Sequence, residues 1–205
     1  MKNQLIYQTS EYDCGPTTLI NAIRYLFDRE QVTPELLQNI YLYTLDSYND
    51  AGENGKSGTS AMAMHFLSCW FNQYGEKKNF PIHSRFLEGE QVTISQNSLI
   101  VECLQQGGVA AVWVWLEGEG HFVLIISEKD GQIGLFDPYY IKDYPDSDKV
   151  KVINADVINR MVAYEVMNDE EVHDYGLGRK ASREAMLIYN TQLRRTPDKT
   201  IEYII

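Results

Sequence analysis

The 205 residues are enough for one domain with a full core and leave little room for a second. Apolar residues at 44% and charged residues at 23% argue against wholesale disorder. A net charge of −11 excludes phosphate-driven nucleic-acid binding as a primary role, because that needs clustered Lys and Arg and Arg194-Arg195 is too small a cluster to supply it.

The N-terminal "MKNQLIYQTS" has no apolar segment of the kind a signal peptide carries, and no stretch reaches the length of a membrane span. Cys14, Cys69 and Cys103 are odd in number and widely separated, which argues against a disulfide framework and for a reducing cytoplasm. There is no CxxC or HExxH, and the acidic "DSYNDAGENG" does not follow EF-hand spacing, so it reads as a solvated loop. Neither a metal nor another cofactor is expected.

Helical signals come first along the chain. Pro16 suits a first helical turn, and Leu19, Ala22, Ile23, Leu26 and Phe27 follow at the spacing of one buried face. "TPELLQNIYLYTL" restarts the pattern, with Thr33 as N-cap, Pro34 at the first position and Glu35 in the first turn. After a Gly-, Asn- and Asp-rich loop, Thr59 is expected to cap a third helix with Met62, Phe66, Cys69 and Trp70 on one face, stopping near Gly75. "FPIHSRF" reads as a strand, and Ser98 opens a short helix that Gly107-Gly108 ends.

The texture then changes. "VAAVWVWLE" is a continuous apolar run and reads as a buried central strand. "HFVLIIS" and "QIGLFDP" are two more strands joined by the turn "EKDG", and "KVKVI" is a further candidate. Asn154 is expected to cap a helix through "ADVINRMVAYEV", "SREAMLIYN" looks helical, and "TIEYII" looks like a terminal strand. Helices first and an antiparallel-looking sheet second indicate an α+β fold.

A cysteine nucleophile needs a stabilised thiolate, a base, a group that orients the base, and donors for an oxyanion. Cys14 stands at a predicted helix start, where unpaired N–H groups and the positive dipole end favour a thiolate. Gly15 leaves the neighbouring backbone uncrowded. Of the four histidines, His65 reads as a helix-surface residue, His83 lies in an undecided stretch and His173 in an acidic segment. His121 differs, because it opens an apolar strand after the polar "EGEG", and Asp137 ends the next strand just before Pro138.

Side-chain parity links this pair. A two-residue turn at Asp130-Gly131 pairs Lys129 with Gln132 and points His121 and Asp137 to opposite faces. A three-residue loop puts them on one face, offset by two, and a five-residue loop puts them directly opposite. A working His121–Asp137 dyad therefore calls for an odd-length loop, or for a bulge if the loop is even.

These residues carry a resemblance. "QTSEYDCGPTTLINAI" is similar to the signature of the bacteriocin-processing, double-glycine cysteine peptidases of the papain-like superfamily, with Gln8 six residues before Cys14 and Gly15 after it. "GHFVLIISEKDGQIGLFDP" resembles the family's later pattern of a His opening an apolar strand and an Asp-Pro after the next. The resemblance covers about residues 4–140 of a single papain-like domain, and residues 141–205 form an extension of unassigned role. Pro16-Thr17-Thr18 is a looser match to the small residues usual after the cysteine, and no transporter domains follow, as they do in many family members.

What the resemblance implies is a Cys-His-Asp peptidase acting on a peptide or protein, after a site such as Gly-Gly, through an acyl-enzyme. Cys14 is then the nucleophile, His121 the base and acid, Asp137 its orienter, and Gln8 an oxyanion donor. Two alternatives stay open. An amine or thiol can replace water in the second step, giving an acyltransferase or amide-forming enzyme, or the fold serves as a peptide-binding module without turnover.

Overall fold

The two kinds of apolar periodicity, helical early and strand-like later, become helices on both faces of one antiparallel sheet in the computed structural model, which describes residues 3–193. Helix α1 (Cys14–Leu26) buries Leu19, Ala22, Ile23 and Leu26 on the expected face. Each large apolar side chain placed there contributes about 1.5–3 kcal/mol. Helix α2 (Pro34–Tyr43) is capped by the Thr33 hydroxyl, which accepts from the Leu36 N–H.

Helix α3 (Ala61–Lys78) corrects the expectation in three respects. Ser60, not Thr59, is its N-cap, and it runs past Gly75 to end at Asn79, whose backbone is left-handed. Its buried stripe is Ala63, Met64, Leu67, Ser68, Phe71 and Tyr74, while Met62, Phe66 and Cys69 are exposed. Strand β1 (Ile82–Glu88) decides which stripe is buried. The Ser68 and Ser84 hydroxyls lie 2.8 Å apart, and the Asn72 amide bonds the Ser84 backbone in both directions. Polar partners across the contact decide which side of α3 turns inward.

Helix α4 (Leu99–Gln105) begins at Ser98, whose hydroxyl accepts from the Val101 N–H, and Gly107 after it has the positive φ of a helix stop. The remaining elements are β2 (Val109–Leu116), β3 (Glu119–Lys129), β4 (Gln132–Phe136), β5 (Val150–Val152), β6 (Arg160–Ala163), α5 (Tyr164–Asn168) and β7 (Glu184–Asn190). The seven strands run in the order β1-β7-β2-β3-β4-β6-β5, antiparallel throughout. Strand β2 alternates between two cores. Val109 and Ala111 pack under α1 to α3, and Ala110, Val112 and Val114 pack on the side of α4 and α5. A strand buried on both faces reads as a continuous apolar run, as this one does.

The C-terminal third corrects two helix readings. "SREAMLIYN" contains β7, every residue of which is buried, with Ala185 and Leu187 in one core and Met186 and Ile188 in the other. Its residues are good helix formers, but pairing with both β1 and β2 outweighs intrinsic propensity. "ADVINRMVAYEV" is not one helix either. Residues 160–163 are claimed by ladders to β4 and β5, and only the single turn of α5 follows. "TIEYII" and Arg194-Arg195 lie outside the described residues. Among the described residues, no helix is long and apolar enough to cross a membrane.

Candidate active site

Cys14 is the first residue of α1, and the first helical N–H to find an acceptor in the helix is that of Thr17, which donates to the Asp13 carbonyl. Pro16 has no N–H, so the Cys14 and Gly15 amides occupy the unpaired first turn. Asp13 holds the N-cap position, yet its side chain does not cap the helix. It turns back instead and accepts from the backbone and hydroxyl of both Thr9 and Ser10, at 2.8 to 3.1 Å. Burial pushes the Asp13 carboxyl up, but these donors outweigh it and hold the group below the ordinary carboxylate range. The loop between Gln8 and Cys14 is therefore shaped by Asp13, and the helix N-terminus stays uncapped.

Gly15 is required here by space. A Cβ at this position would lie 2.5 Å from the Thr59 hydroxyl and 2.7 Å from Thr59 Cβ. Two polar residues then fix α1 against its surroundings. The Thr18 hydroxyl donates to the Phe122 carbonyl at 3.0 Å, next to His121. Asn21 bonds the Ile6 N–H and carbonyl, at 2.9 and 2.8 Å, and so holds the segment that carries Gln8.

The β3–β4 hairpin overturns the expectation of an odd loop. Lys129 pairs with Gln132 across a two-residue turn, and both Asp130 and Gly131 have positive φ, as a type I′ turn requires. The register then shifts, because Ser127 pairs with Gly134 but Ile125 pairs with Leu135. Ile126 is the extra residue of a β-bulge. Beyond it His121 and Asp137 share the parity of Val123, Ile125 and Leu135, and they meet: His121 Nε2 lies 2.8 Å from Asp137 Oδ1.

Both side chains are buried, Asp137 completely. Burial is the largest single influence on the imidazole and opposes its charge. The Asp137 carboxylate, as a charge and as an acceptor, together with a hydrogen bond to the Cys14 sulfur, outweighs burial and pushes His121 up to about 10. Asp137 takes Nε2 of His121, and the Cys14 sulfur is near enough to the imidazole to favour its charge.

Gln8 stands beside His121 in a hollow of about 210 Å³. Its backbone N–H donates to the Pro138 carbonyl at 2.9 Å, and its side-chain Nε2 donates to the Ser10 carbonyl at 2.8 Å with one N–H to spare. A second hollow of about 520 Å³ contains Cys14, with Gly58, Thr59 and Trp113 in its wall. The two share Glu11, Glu119 and Gly120, so a groove passes over the Cys14–His121 pair with acidic residues on its rim. A larger hollow of about 710 Å³ lies around Tyr144, Lys149 and His173 and contains none of the four candidate residues.

The other histidines stay apart from the site. His65 is exposed and stacks on Phe86, His83 is exposed on β1, and His173 pairs with Asp169 at 3.1 Å. Among the described residues, no group of three or more His, Cys, Asp or Glu side chains is placed to hold a metal ion. None of the three cysteines is in a disulfide.

Sequence reasoning missed the residues that hold Asp137. Asn159 accepts the Asp137 N–H and donates to the Asp137 carbonyl, both at 2.8 Å. The Tyr139 N–H donates to Oδ1 at 2.8 Å, and the Tyr175 hydroxyl donates to Oδ2 at 2.7 Å. No local motif announces such partners, because Asn159 is brought in by a backbone bond to Leu135 of β4 and Tyr175 by one to Trp115 of β2, and not by spacing.

No protein-family model matches this chain, and neither does any curated protein. Two solved structures resemble it at 11% identity, with 91% of this chain covered in both cases. One is the peptidase domain of Streptococcus mutans ComA, with a TM-score of 0.42 and 98% of that chain covered. The other is the peptidase domain of Streptococcus ComA, a bi-functional ABC transporter involved in a quorum sensing pathway, with a TM-score of 0.43 and 96% of that chain covered.

Proposed function

We propose that this protein is a cysteine peptidase in which Cys14, His121 and Asp137 carry the chemistry and Gln8 assists. The observation that supports this most is a single imidazole, nearly buried, bonded to Asp137 at 2.8 Å and held charged in part by the only cysteine at a helix N-terminus among the described residues. The sequence resemblance to double-glycine cysteine peptidases adds Gln8 and a small-residue site such as Gly-Gly.

In this reading the proton of Cys14 resides on His121, whose charge Asp137 stabilises. The thiolate attacks the scissile carbonyl and forms a C–S bond. The oxyanion takes hydrogen bonds from the spare Gln8 N–H and from an amide at the α1 N-terminus. His121 then gives its proton to the leaving amine as the C–N bond breaks. Water, deprotonated by His121, hydrolyses the thioester and returns the sulfur to the start. The acidic rim of Glu11, Glu117 and Glu119 favours the approach of cationic peptides.

A peptide-based, thiol-directed activity probe tests the reading, with modification mapped by mass spectrometry. Labelling of Cys14 in folded protein, lost in Cys14→Ala and reduced in His121→Gln, is expected. Labelling confined to the exposed Cys69 would sink it. Product analysis with water and with added amines separates hydrolysis from acyl transfer.

A further inference from the structure

Asp137 is a fully buried carboxylate whose two oxygens have different partners. Oδ1 accepts from His121 Nε2 and from the Tyr139 N–H, while Oδ2 accepts from the Tyr175 hydroxyl. The Tyr175 hydroxyl in turn accepts from Arg160 Nε at 3.1 Å. Tyr175 and Arg160 are both buried, and the guanidinium is held by its bond to the Asn159 carbonyl at 2.8 Å and by the Tyr144 ring, 4.9 Å from its carbon to the ring centre. Tyr144, Asn159, Arg160 and Tyr175 all lie in residues 141–205, to which the sequence assigns no role.

We propose that Tyr175 and Arg160 are positioning residues for the reaction, fixing the rotation of the Asp137 carboxylate so that Oδ1 faces His121. The inference rests on the reading of Cys14, His121 and Asp137 as the reacting set and extends it inward by two residues. A carboxylate bonded to an imidazole through one oxygen can still swing about its last bond, and a donor on the second oxygen stops that motion. The charges also alternate along the chain: thiolate, imidazolium, carboxylate, guanidinium. A buried carboxylate without the cation at the end is costlier to keep charged. An Asp137 carboxylate turned off Nε2 no longer holds the imidazolium, and the thiolate is lost with it.

The charged and titratable groups around Asp137 are His121, Tyr175 and Arg160, with Cys14 beyond the imidazole and Tyr144 with Asp174 beyond Arg160. Removing the Tyr175 donor frees the Asp137 carboxylate to turn away from the imidazolium, so the acid limb of thiolate reactivity moves up. A role confined to folding would lower stability and leave that limb in place.

The test is the rate of iodoacetamide alkylation at the Cys14 peptide, followed from pH 4 to 9 by mass spectrometry alongside thermal unfolding. Wild-type protein is expected to react well below the free-thiol range of about 8.5. If it does not, the reading of Cys14 and His121 fails first, separately from this proposal. Given that reactivity, Tyr175→Phe should move the acid limb up by about half to one pH unit and slow alkylation on that limb about three- to tenfold. Arg160→Gln should move it at least as far, and Arg160→Lys, which keeps the charge, should move it less. Folded Tyr175→Phe with a wild-type limb overturns the proposal. Should the variants not fold, ¹³Cζ-labelled Tyr175 in the unmutated protein gives the same answer. Its resonance is expected to titrate with the alkylation limb, and a flat resonance across that limb overturns the proposal.

Discussion

His121 Nε2 and Asp137 Oδ1 stand 2.8 Å apart although the turn between their strands has an even number of residues. Without the bulge at Ile126 the two side chains would point to opposite faces of the sheet. With Ile126 in the chain, its place outside the ladder therefore decides whether the site exists. Deleting Ile126 should leave the pairs Ile125–Leu135 and Ser127–Gly134 standing and convert the bulge into a regular ladder. We expect ΔIle126 to keep Cys14 reactivity while losing about 2–4 kcal/mol, because Ser127 replaces a buried isoleucine in the core beneath α1. Alkylation and denaturant unfolding check both parts, and a folded deletion variant with an inert Cys14 contradicts the account.

Gln8 is assigned to the oxyanion and not to the thiolate. Gln8→Ala should lower kcat/KM for a cleaved peptide by about 10²–10³-fold, the usual effect of removing one oxyanion donor. Alkylation of Cys14 by iodoacetamide creates no oxyanion, so its rate should stay within about twofold of wild type across pH. An equal fall in both rates would instead place Gln8 among the residues that set the thiolate.

The raised pKa of His121 carries a stability signature. Its folded value, about 10, lies above the 6.5 of the free side chain, so the folded protein keeps a proton that the unfolded chain has lost. The contribution is fully present below pH 6.5 and fades as pH rises from there to about 10. Denaturant unfolding over that window should show stability falling by at most about 1.4 kcal/mol per pH unit from this group. His121→Gln should flatten the slope.

Asp13 behaves with the opposite sign. Its carboxyl is held below 3.8 by the Thr9 and Ser10 donors, so its contribution is present above that pH and is lost as pH falls below it. Asp13→Asn should be less stable than wild type at neutral pH, with the gap narrowing below about pH 3.8. Thermal unfolding against pH reads this directly. Loosening of residues 8–13 should also slow peptide turnover, since the same four hydrogen bonds shape the loop between Gln8 and Cys14.

Gly15 tests the space at the nucleophile. A Cβ there would sit 2.5 Å from the Thr59 hydroxyl, so Gly15→Ala has to push the Thr59 loop or the start of α1 aside. We expect at least a tenfold loss of Cys14 labelling by the peptide-based probe, an effect of the size seen when a reacting group is misplaced by about an ångström. Thr59→Gly in the same protein should restore part of it.

The sequence alone determined the features that depend on near neighbours. The face of α1, the caps Thr33 and Ser98, the doubly buried β2 and the order of Gln8, Cys14, His121 and Asp137 all follow from spacing and local chemistry. Tertiary structure decided what depends on pairing between distant segments. The bulge at Ile126 arises where a tight Asp-Gly turn and two buried faces demand different registers, and no window of β3 or β4 alone contains that conflict. Strand β7 has the composition of a helix and becomes a strand because β1 and β2 offer partners on both sides. The support of Asp137 by Asn159, Arg160 and Tyr175 spans up to 38 residues and exists only once β6 has paired with β4 and Tyr175 has docked on Trp115 of β2. A buried carboxylate must find its donors wherever the fold delivers them, and sequence spacing carries no record of that delivery.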